Sequence, residues 1–490
     1  METMRIIAAV ALVPLLVIEP PRFTAVQPEL FGAGANLVNA WADYDGDGDL
    51  DLFVGFNGTP NRLYRNDQGT LVDVATAVGV ADSRATRAGA WGDFDGDGRP
   101  DLLVGFAPGA QSVLKLYRNN GGAFSDVTAD VGVARDSGAV RQLSWIDVDG
   151  DSDLDLFVAF RDRANSLYRN DNGRFTDIAA DVGLADRRKA VGAVWFDYDE
   201  DGDLDVYVAN MDGDANALYR NDGGKFADAA ADRGVQWGGR TPNDSSNGTV
   251  RPCAADVDGD GHLDIVTANY GKNGLFFNRG GGTFEDVSSQ WGIDIDSRYD
   301  ACALADFDND GRLDLYVNGT VTGGKSYRDY LFRNTGTFFE DVTPENVKSL
   351  EADHGVQWAD YDRDGDVDLA LTGSRPDGMH SLLRNDLSPN EARRSLEISV
   401  VDQQGRPSLA GAEVRLYAAG SRRPLGTRLV DTGSGYDAQS VMPVHFGLPS
   451  LAAVDVEVIV PRGGKRPLTR VPNVDPRRFA GKSLVVRAQR

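Results

Sequence analysis

Seven times along its 490 residues the chain gathers aspartates at positions 1, 3, 5 and 9 of a nine-residue string. The strings read DYDGDGDLD from Asp43, DFDGDGRPD from Asp93, DVDGDSDLD from Asp147 and DYDEDGDLD from Asp197. They continue with DVDGDGHLD from Asp256, DFDNDGRLD from Asp306 and DYDRDGDVD from Asp360, and all 28 aspartates are present. Four carboxylates in so short a span repel one another unless a cation neutralises them. Side chains at 1, 3 and 5 converge when the loop curls, and Gly at position 6 (Ser152 in the third string) permits the turn. The carbonyl at 7 adds a ligand and Asp at 9 closes the sphere. An all-oxygen set selects a hard cation, and Ca2+ rather than Mg2+, which gives up its waters reluctantly.

The predicted metal ligands are Asp43, Asp45, Asp47, Asp49 and Asp51 in the first string and Asp93, Asp95, Asp97, Arg99 and Asp101 in the second. Asp147, Asp149, Asp151, Asp153 and Asp155 form the third set, and Asp197, Asp199, Asp201, Asp203 and Asp205 the fourth. Asp256, Asp258, Asp260, His262 and Asp264 form the fifth, and Asp306, Asp308, Asp310, Arg312 and Asp314 the sixth. Asp360, Asp362, Asp364, Asp366 and Asp368 complete the seven. Position 7 is included for its carbonyl alone. An EF-hand is excluded, because position 12 is apolar (Val54, Val104, Val158, Val208) rather than Glu and the flanks are strand-like. Solvated Asp/Gly turns would account for one copy, not for seven. Up to seven structural Ca2+ are expected, and their +14 would bring the formal net charge from −25 to −11.

The strings start 50, 54, 50, 59, 50 and 54 residues apart, each in the same context. A short apolar stretch precedes, an apolar run such as LDLFVGF follows, and then come a third segment (NRLYRN, LKLYRN, NSLYRN) and a fourth (GRFTDIAADVGL). Four short strands per repeat, seven times over, predict an all-β fold, a seven-bladed β-propeller over 22–386. No fourth strand follows the seventh repeat, but PRFTAVQPELFG (Pro21–Gly32) resembles GRFTDIAADVGL, so residues 22–32 are expected to close the last blade. Residues 393–490 alternate as SLEISVV, GAEVRLYAAG, PLGTRLVDTGSGY, VHFGL, VDVEVIVP and SLVVRAQ, which predicts a small β-sandwich-like domain. The apolar run Ile6–Ile18 is too short to span a bilayer and predicts a signal peptide over 1–20.

DYDGDGDLDLFVG and its copies resemble the FG-GAP/VCBS calcium loops of integrin α-chain propellers. That resemblance implies a β-hairpin turn between the first two strands of each blade. GAEVRLYAAG, DTGSGYDAQS, VHFGL and VDVEVIVPRGG, in that order, are similar to the ASPIC/UnbV domain. Propeller and domain together resemble the cartilage acidic protein family. No catalytic residue comes with the resemblance.

Charge and the remaining residues bound the function. Residues 1–386 carry −32 and residues 387–490 carry +7, which argues against nucleic-acid binding and favours docking of the second unit on the first. No segment beyond the leader could cross a membrane, so the mature chain is expected to have no transmembrane span. Cys253 and Cys302 lie on neighbouring inner strands and are expected as buried thiols, the strands being too far apart to bridge. Trp41, Trp91, Trp145, Trp195 and Trp358 stand two residues before a string, a fixed register that implies packing. None of His262, His354, His380 and His445 falls in a recognisable catalytic motif. Extra residues on the face opposite the Asp loops place candidate ligand contacts at Trp237, Arg240 and Tyr327. The expected function is an exported, non-enzymatic module that binds a protein or glycan at the cell surface. The alternative is a polysaccharide-active lyase or glycosidase on the same scaffold.

Overall fold

The computed structural model describes residues 20–489 apart from 110, 323–324, 349, 351–353 and 374–379. Residues 1–19 of the expected signal peptide lie outside the described residues. Each repeat folds into a four-stranded antiparallel sheet. In the first blade these strands are Asn36–Ala42, Asp51–Phe56, Arg62–Asp67 and Thr70–Asp73. The two innermost are buried on both faces, which is why their sequences run apolar rather than alternate. Seven such sheets follow one another. In the seventh, Val356–Ala359, Asp368–Leu371 and Ser381–Asn385 are joined by Phe23–Ala25, with Phe23 opposite Asn385 and Ala25 opposite Leu383. This pairing of distant segments closes the ring and removes an open edge.

The outermost strand is shorter than the sequence pattern predicts. In GRFTDIAADVGL only Phe175–Asp177 is strand, and Ala179–Val182 forms one helical turn. The Asp177 carboxylate accepts the Ala179 amide at 3.2 Å, and Gly183 at φ 96° ends the turn, so the local capping chemistry overrides the apolar pattern.

Near its start, the first strand of blades 1 to 6 carries a bulge. Pairing skips Leu37, Arg87, Arg141 with Gln142, Val191, Val250 and Asp300. A bulge re-aims its side chain. Leu37, Val191 and Val250, from three different blades, meet in one apolar cluster with Tyr436 at the propeller axis.

The C-terminal domain packs a three-stranded sheet (Val444–Gly447, Ser395–Val401, Leu484–Arg487) on a four-stranded one (Pro424–Leu429, Glu413–Ala418, Val454–Ile459, Leu468–Val474). The strand Leu468–Val474 is absent from the sequence reading because Pro472 interrupts its pattern. DTGSGYDAQS, read partly as strand, instead enters the propeller axis. There the inner strands present unpaired backbone groups, and this polar segment satisfies them. Ser440 Oγ accepts the Trp41 amide at 3.1 Å, Gln439 Oε1 that of Trp145 at 2.6 Å, and Thr432 Oγ1 that of Trp195 at 3.0 Å. Ala438–Gln439 also pairs in parallel with Gly89 and Ala90.

The expectation of free thiols is corrected. Cys253 and Cys302 form a disulfide with Cα atoms 6.6 Å apart. Inner strands of neighbouring blades converge towards the axis, which brings these two within bonding reach. Among the described residues no helix is long and apolar enough to cross a membrane.

Candidate metal centres

Each Asp string forms the hairpin between the first and second strands of its blade. In loops 1 to 4 the carboxylates at positions 1, 3 and 9 bring oxygens within 4.8 Å of one another, and in loop 5 those at 1, 3 and 5 do so. The backbone explains the turn residue. Position 6 lies at φ between 89° and 103° in every loop, Ser152 included, a region that costs an L-residue strain. Its amide donates to the first aspartate at 2.8–3.2 Å in six loops. The position 5 carboxylate accepts the amide of position 7 at 2.8–3.1 Å in all seven.

Position 9 has a second job. One of its oxygens accepts the position 2 amide at 2.8–3.3 Å in every loop. The other accepts the amide of the asparagine that ends the third strand, at 2.7–2.9 Å. These asparagines are Asn66, Asn119, Asn170, Asn221, Asn278, Asn334 and Asn385. The sequence reading used their strand as a repeat marker and missed this role, although an Asn at the same register in seven repeats was the signal. In six blades the Asn amide nitrogen also donates to the position 2 carbonyl of the preceding blade at 2.7–3.0 Å. Loop and blade interface are therefore one hydrogen-bonded unit.

The carboxylates fit a cation by a test independent of spacing. Buried oxygens on Asp95, Asp197, Asp199 and Asp308 have no hydrogen-bond partner, an expensive state for a carboxylate. Burial, with neighbouring aspartates adding to it, pushes the Asp93 carboxyl up to about 6. Burial likewise pushes Asp197 up to about 7 and Asp101 up to about 8. Such groups are held charged only if a cation faces them.

Arginines divide the loops. Where the third strand ends Arg-Asn-Asp, the arginine pairs with that last aspartate, as in Arg65–Asp67 at 2.9 Å and Arg169–Asp171 at 2.8 Å. Where that aspartate is missing, an arginine turns onto position 3. Arg118 lies 2.8 Å from Asp95, Arg279 2.8 Å from Asp258 and Arg333 2.8 Å from Asp308.

In six loops the position 7 side chain is engaged outside the cluster, whereas the buried Asp366 of loop 7 faces Asp362 and Asp364. Asp49, Asp153 and Asp203 accept amides of the adjoining turn, at Gln68, Asn172 and Gly223. Arg99 and Arg312 pair with Asp97 and Asp310, and His262 lies 3.0 Å from Glu200. In these six loops only the position 7 carbonyl is left for an ion.

The C-terminal domain rests on this same face. Arg466 lies 3.4 Å from both Asp197 and Glu200, Gly464 donates to Asp203 at 2.8 Å, and buried Arg428 faces Asp256 and Asp306. On the opposite face, Arg240 is only 2 % exposed. Its guanidinium bonds Thr249 and the Asp214 carbonyl and stacks on Trp237, so it holds the insertion in place rather than offering itself to a ligand. Trp237 and Tyr327 remain partly exposed, Tyr327 beneath Lys325.

Family comparison identifies the repeats and the C-terminal domain. The FG-GAP-like repeat family matches residues 43–104, 147–208, 197–267 and 256–317, and the FG-GAP repeat family matches 85–125. ASPIC and UnbV matches 402–475. Cartilage acidic protein 1 of Homo sapiens is 28% identical over 90% of this chain and 72% of its own length. The Xenopus tropicalis protein is also 28% identical, over 90% of this chain and 74% of its own. An Agrocybe aegerita lectin that recognises non-reducing terminal N-acetylglucosamine superposes at a TM-score of 0.40 and 22% identity, over 64% of this chain and 81% of the lectin. The chain belongs to the FG-GAP-repeat family and carries an ASPIC and UnbV domain behind its propeller.

Proposed function

We propose that the protein is an exported, non-catalytic binding module whose Asp-rich hairpins hold up to seven structural Ca2+. Positions 1, 3 and 9 of each loop, with position 5 and the carbonyl of position 7, would hold the ion. Bound there, Ca2+ supplies the positive charge that lets buried carboxylates stay ionised. The observation that carries this reading is the set of buried, partnerless oxygens on Asp95, Asp197, Asp199 and Asp308. The partner is a protein or glycan at or outside the cell surface, met by the face that the C-terminal domain leaves open.

An ion that binds only the folded chain stabilises it by about 2.7 kcal/mol at a hundredfold excess over Kd. Removing several ions should therefore lower Tm by more than about 10 °C. Thermal melts of the full chain in millimolar calcium and in EDTA, with elemental analysis of the dialysed protein, test this. Bound calcium and a large shift support the reading; an unchanged melt in a calcium-free protein overturns it.

A further inference from the structure

At the propeller axis, opposite the Asp loops, a group of charges has no part in holding calcium. The bulge residues of blades 2, 3 and 6 are Arg87, Arg141 and Asp300, and His354 precedes the inner strand of blade 7. The C-terminal segment carries Tyr436 and Asp437 through the axis to meet them. The His354 ring lies 4.9 Å from the ring of Tyr436, and its Nδ1 is 3.1 Å from Asp300.

Three features are costly unless a ligand uses them. Arg87 and Arg141 are half-buried, and among the described residues neither makes an ion pair, whereas most arginines of this acidic propeller do. Asp437 is 1 % exposed, and its Oδ2 has no hydrogen-bond partner. Its backbone also sits at φ 52°, a strained conformation that a glycine would relieve. Buried, unpaired and strained groups gather where a ligand completes them.

We propose that this axial mouth binds a sugar acid, the carboxylate seated on Arg87 and Arg141 and the hydroxyls donating to Asp437 and Asp300. The charges select that class. Arg87 and Arg141 face Asp437, and Arg251 faces Asp431 as well as Asp437, beside a His354 that burial holds towards its neutral form. A phosphate carries nearly two negative charges and would be repelled by Asp300 and Asp437 more strongly than a carboxylate with one. Guanidinium forks match a planar carboxylate, and buried carboxylate oxygens ask for hydroxyl donors. The site needs both domains, because the propeller supplies the arginines and the C-terminal segment supplies Tyr436 and Asp437.

This inference rests on the binding reading and names its ligand class. Its test is calorimetric titration of the full chain in calcium with tetragalacturonate, with neutral galactotetraose and with inorganic phosphate. Tetragalacturonate should bind about tenfold or more tightly than either control. Arg87→Ala with Arg141→Ala should abolish that preference while the chain still melts cooperatively in calcium, and Asp437→Asn should weaken binding several-fold. Equal binding of the neutral oligomer, preference for phosphate, or affinity unmoved by the arginine variants overturns the proposal. So does an absence of binding by a calcium-loaded chain, which leaves the calcium reading standing. Shortening of tetragalacturonate during the titration would keep the site and overturn the non-catalytic reading.

Discussion

At one end of the inner strands, position 9 of the loop is aspartate in all seven blades, and each makes the same two hydrogen bonds; at the other end the bulge residue is Leu37, Arg87, Arg141, Val191, Val250 or Asp300. Position 9 opens the second strand and the bulge lies near the start of the first, so the two ends belong to one pair of strands and share the same blade packing. They differ in what the backbone asks of the side chain. At the loop end, the position 9 carboxylate occupies two buried amides that nothing else reaches, so no other residue type fits. At the axial end the side chain only fills space or meets Tyr436, and chemistry is free to vary. Repetition along this chain therefore marks where the ring is held together, and divergence marks where a ligand can be recognised.

The largest effect expected from this contrast comes from Asp155, which is fully buried and accepts the amides of Val148 at 2.9 Å and Asn170 at 2.8 Å. Asp155→Ala leaves both donors unsatisfied, at about 1–3 kcal/mol each. Urea denaturation in calcium should show a loss of about 3 kcal/mol or more. The double variant Arg87→Ala with Arg141→Ala should cost less than that, because each half-buried arginine gives up attraction to Asp437 without leaving a buried backbone donor unsatisfied. If the two cost the same, the contrast between the ends is broken.

A smaller effect sharpens the contrast through pH. His380 lies before the third strand of blade 7, on the face opposite the Asp loops, and joins blade 7 to blade 1. Its Nδ1 donates to the Ala33 carbonyl at 2.8 Å, and its Nε2 accepts from the Tyr64 hydroxyl at 2.7 Å. Burial holds its pKa down at about 4, with the nearby Arg62 charge acting in the same direction. A folded pKa below the ordinary 6.5 means that the unfolded chain takes the proton first. The stability is whole above pH 6.5 and is lost as pH falls from there towards 4, at about 1.4 kcal/mol per pH unit. In saturating calcium, His380→Gln should start less stable at pH 7.5 and show a shallower loss between pH 6.5 and 5. Parallel curves for the two proteins would remove His380 from the account.

What could be read from residues alone follows the same division. The seven strings, their period and their strands were legible because each is local: a turn glycine, alternating carboxylates, an apolar run. The likeness of Pro21–Gly32 to a fourth segment was legible because both carry a short strand followed by a helical turn. Contacts across the ring were not. Nothing near Cys253 records how closely its inner strand approaches that of Cys302. The segment around Thr432, Gln439 and Ser440 has no apolar period, and its polarity makes sense only against the unpaired edges that it meets. Arg240 looked available as a loop arginine, but its burial depends on Asp214 and Thr249 in neighbouring segments of the same chain.

The smallest effect concerns the loop end itself, where one residue decides the arginine's partner. In blade 2 the strand ends Arg118-Asn119-Asn120, and Arg118 lies 2.8 Å from Asp95. In blade 3 it ends Arg169-Asn170-Asp171, and Arg169 lies 2.8 Å from Asp171 instead. A cation entering loop 2 must meet a carboxylate that a guanidinium already holds. Asn120→Asp offers Arg118 the local partner that Arg169 has, which frees Asp95. Both arginines are well exposed, so the exchange is worth no more than about 0.5–1 kcal/mol, or a few-fold in Kd. Calcium titration of the full chain by equilibrium dialysis should show the half-saturation of the weakest sites falling in Asn120→Asp, with the total bound unchanged. An unmoved curve would mean that Arg118 yields to the ion at no cost, and the loops would then be as uniform in affinity as they are in sequence.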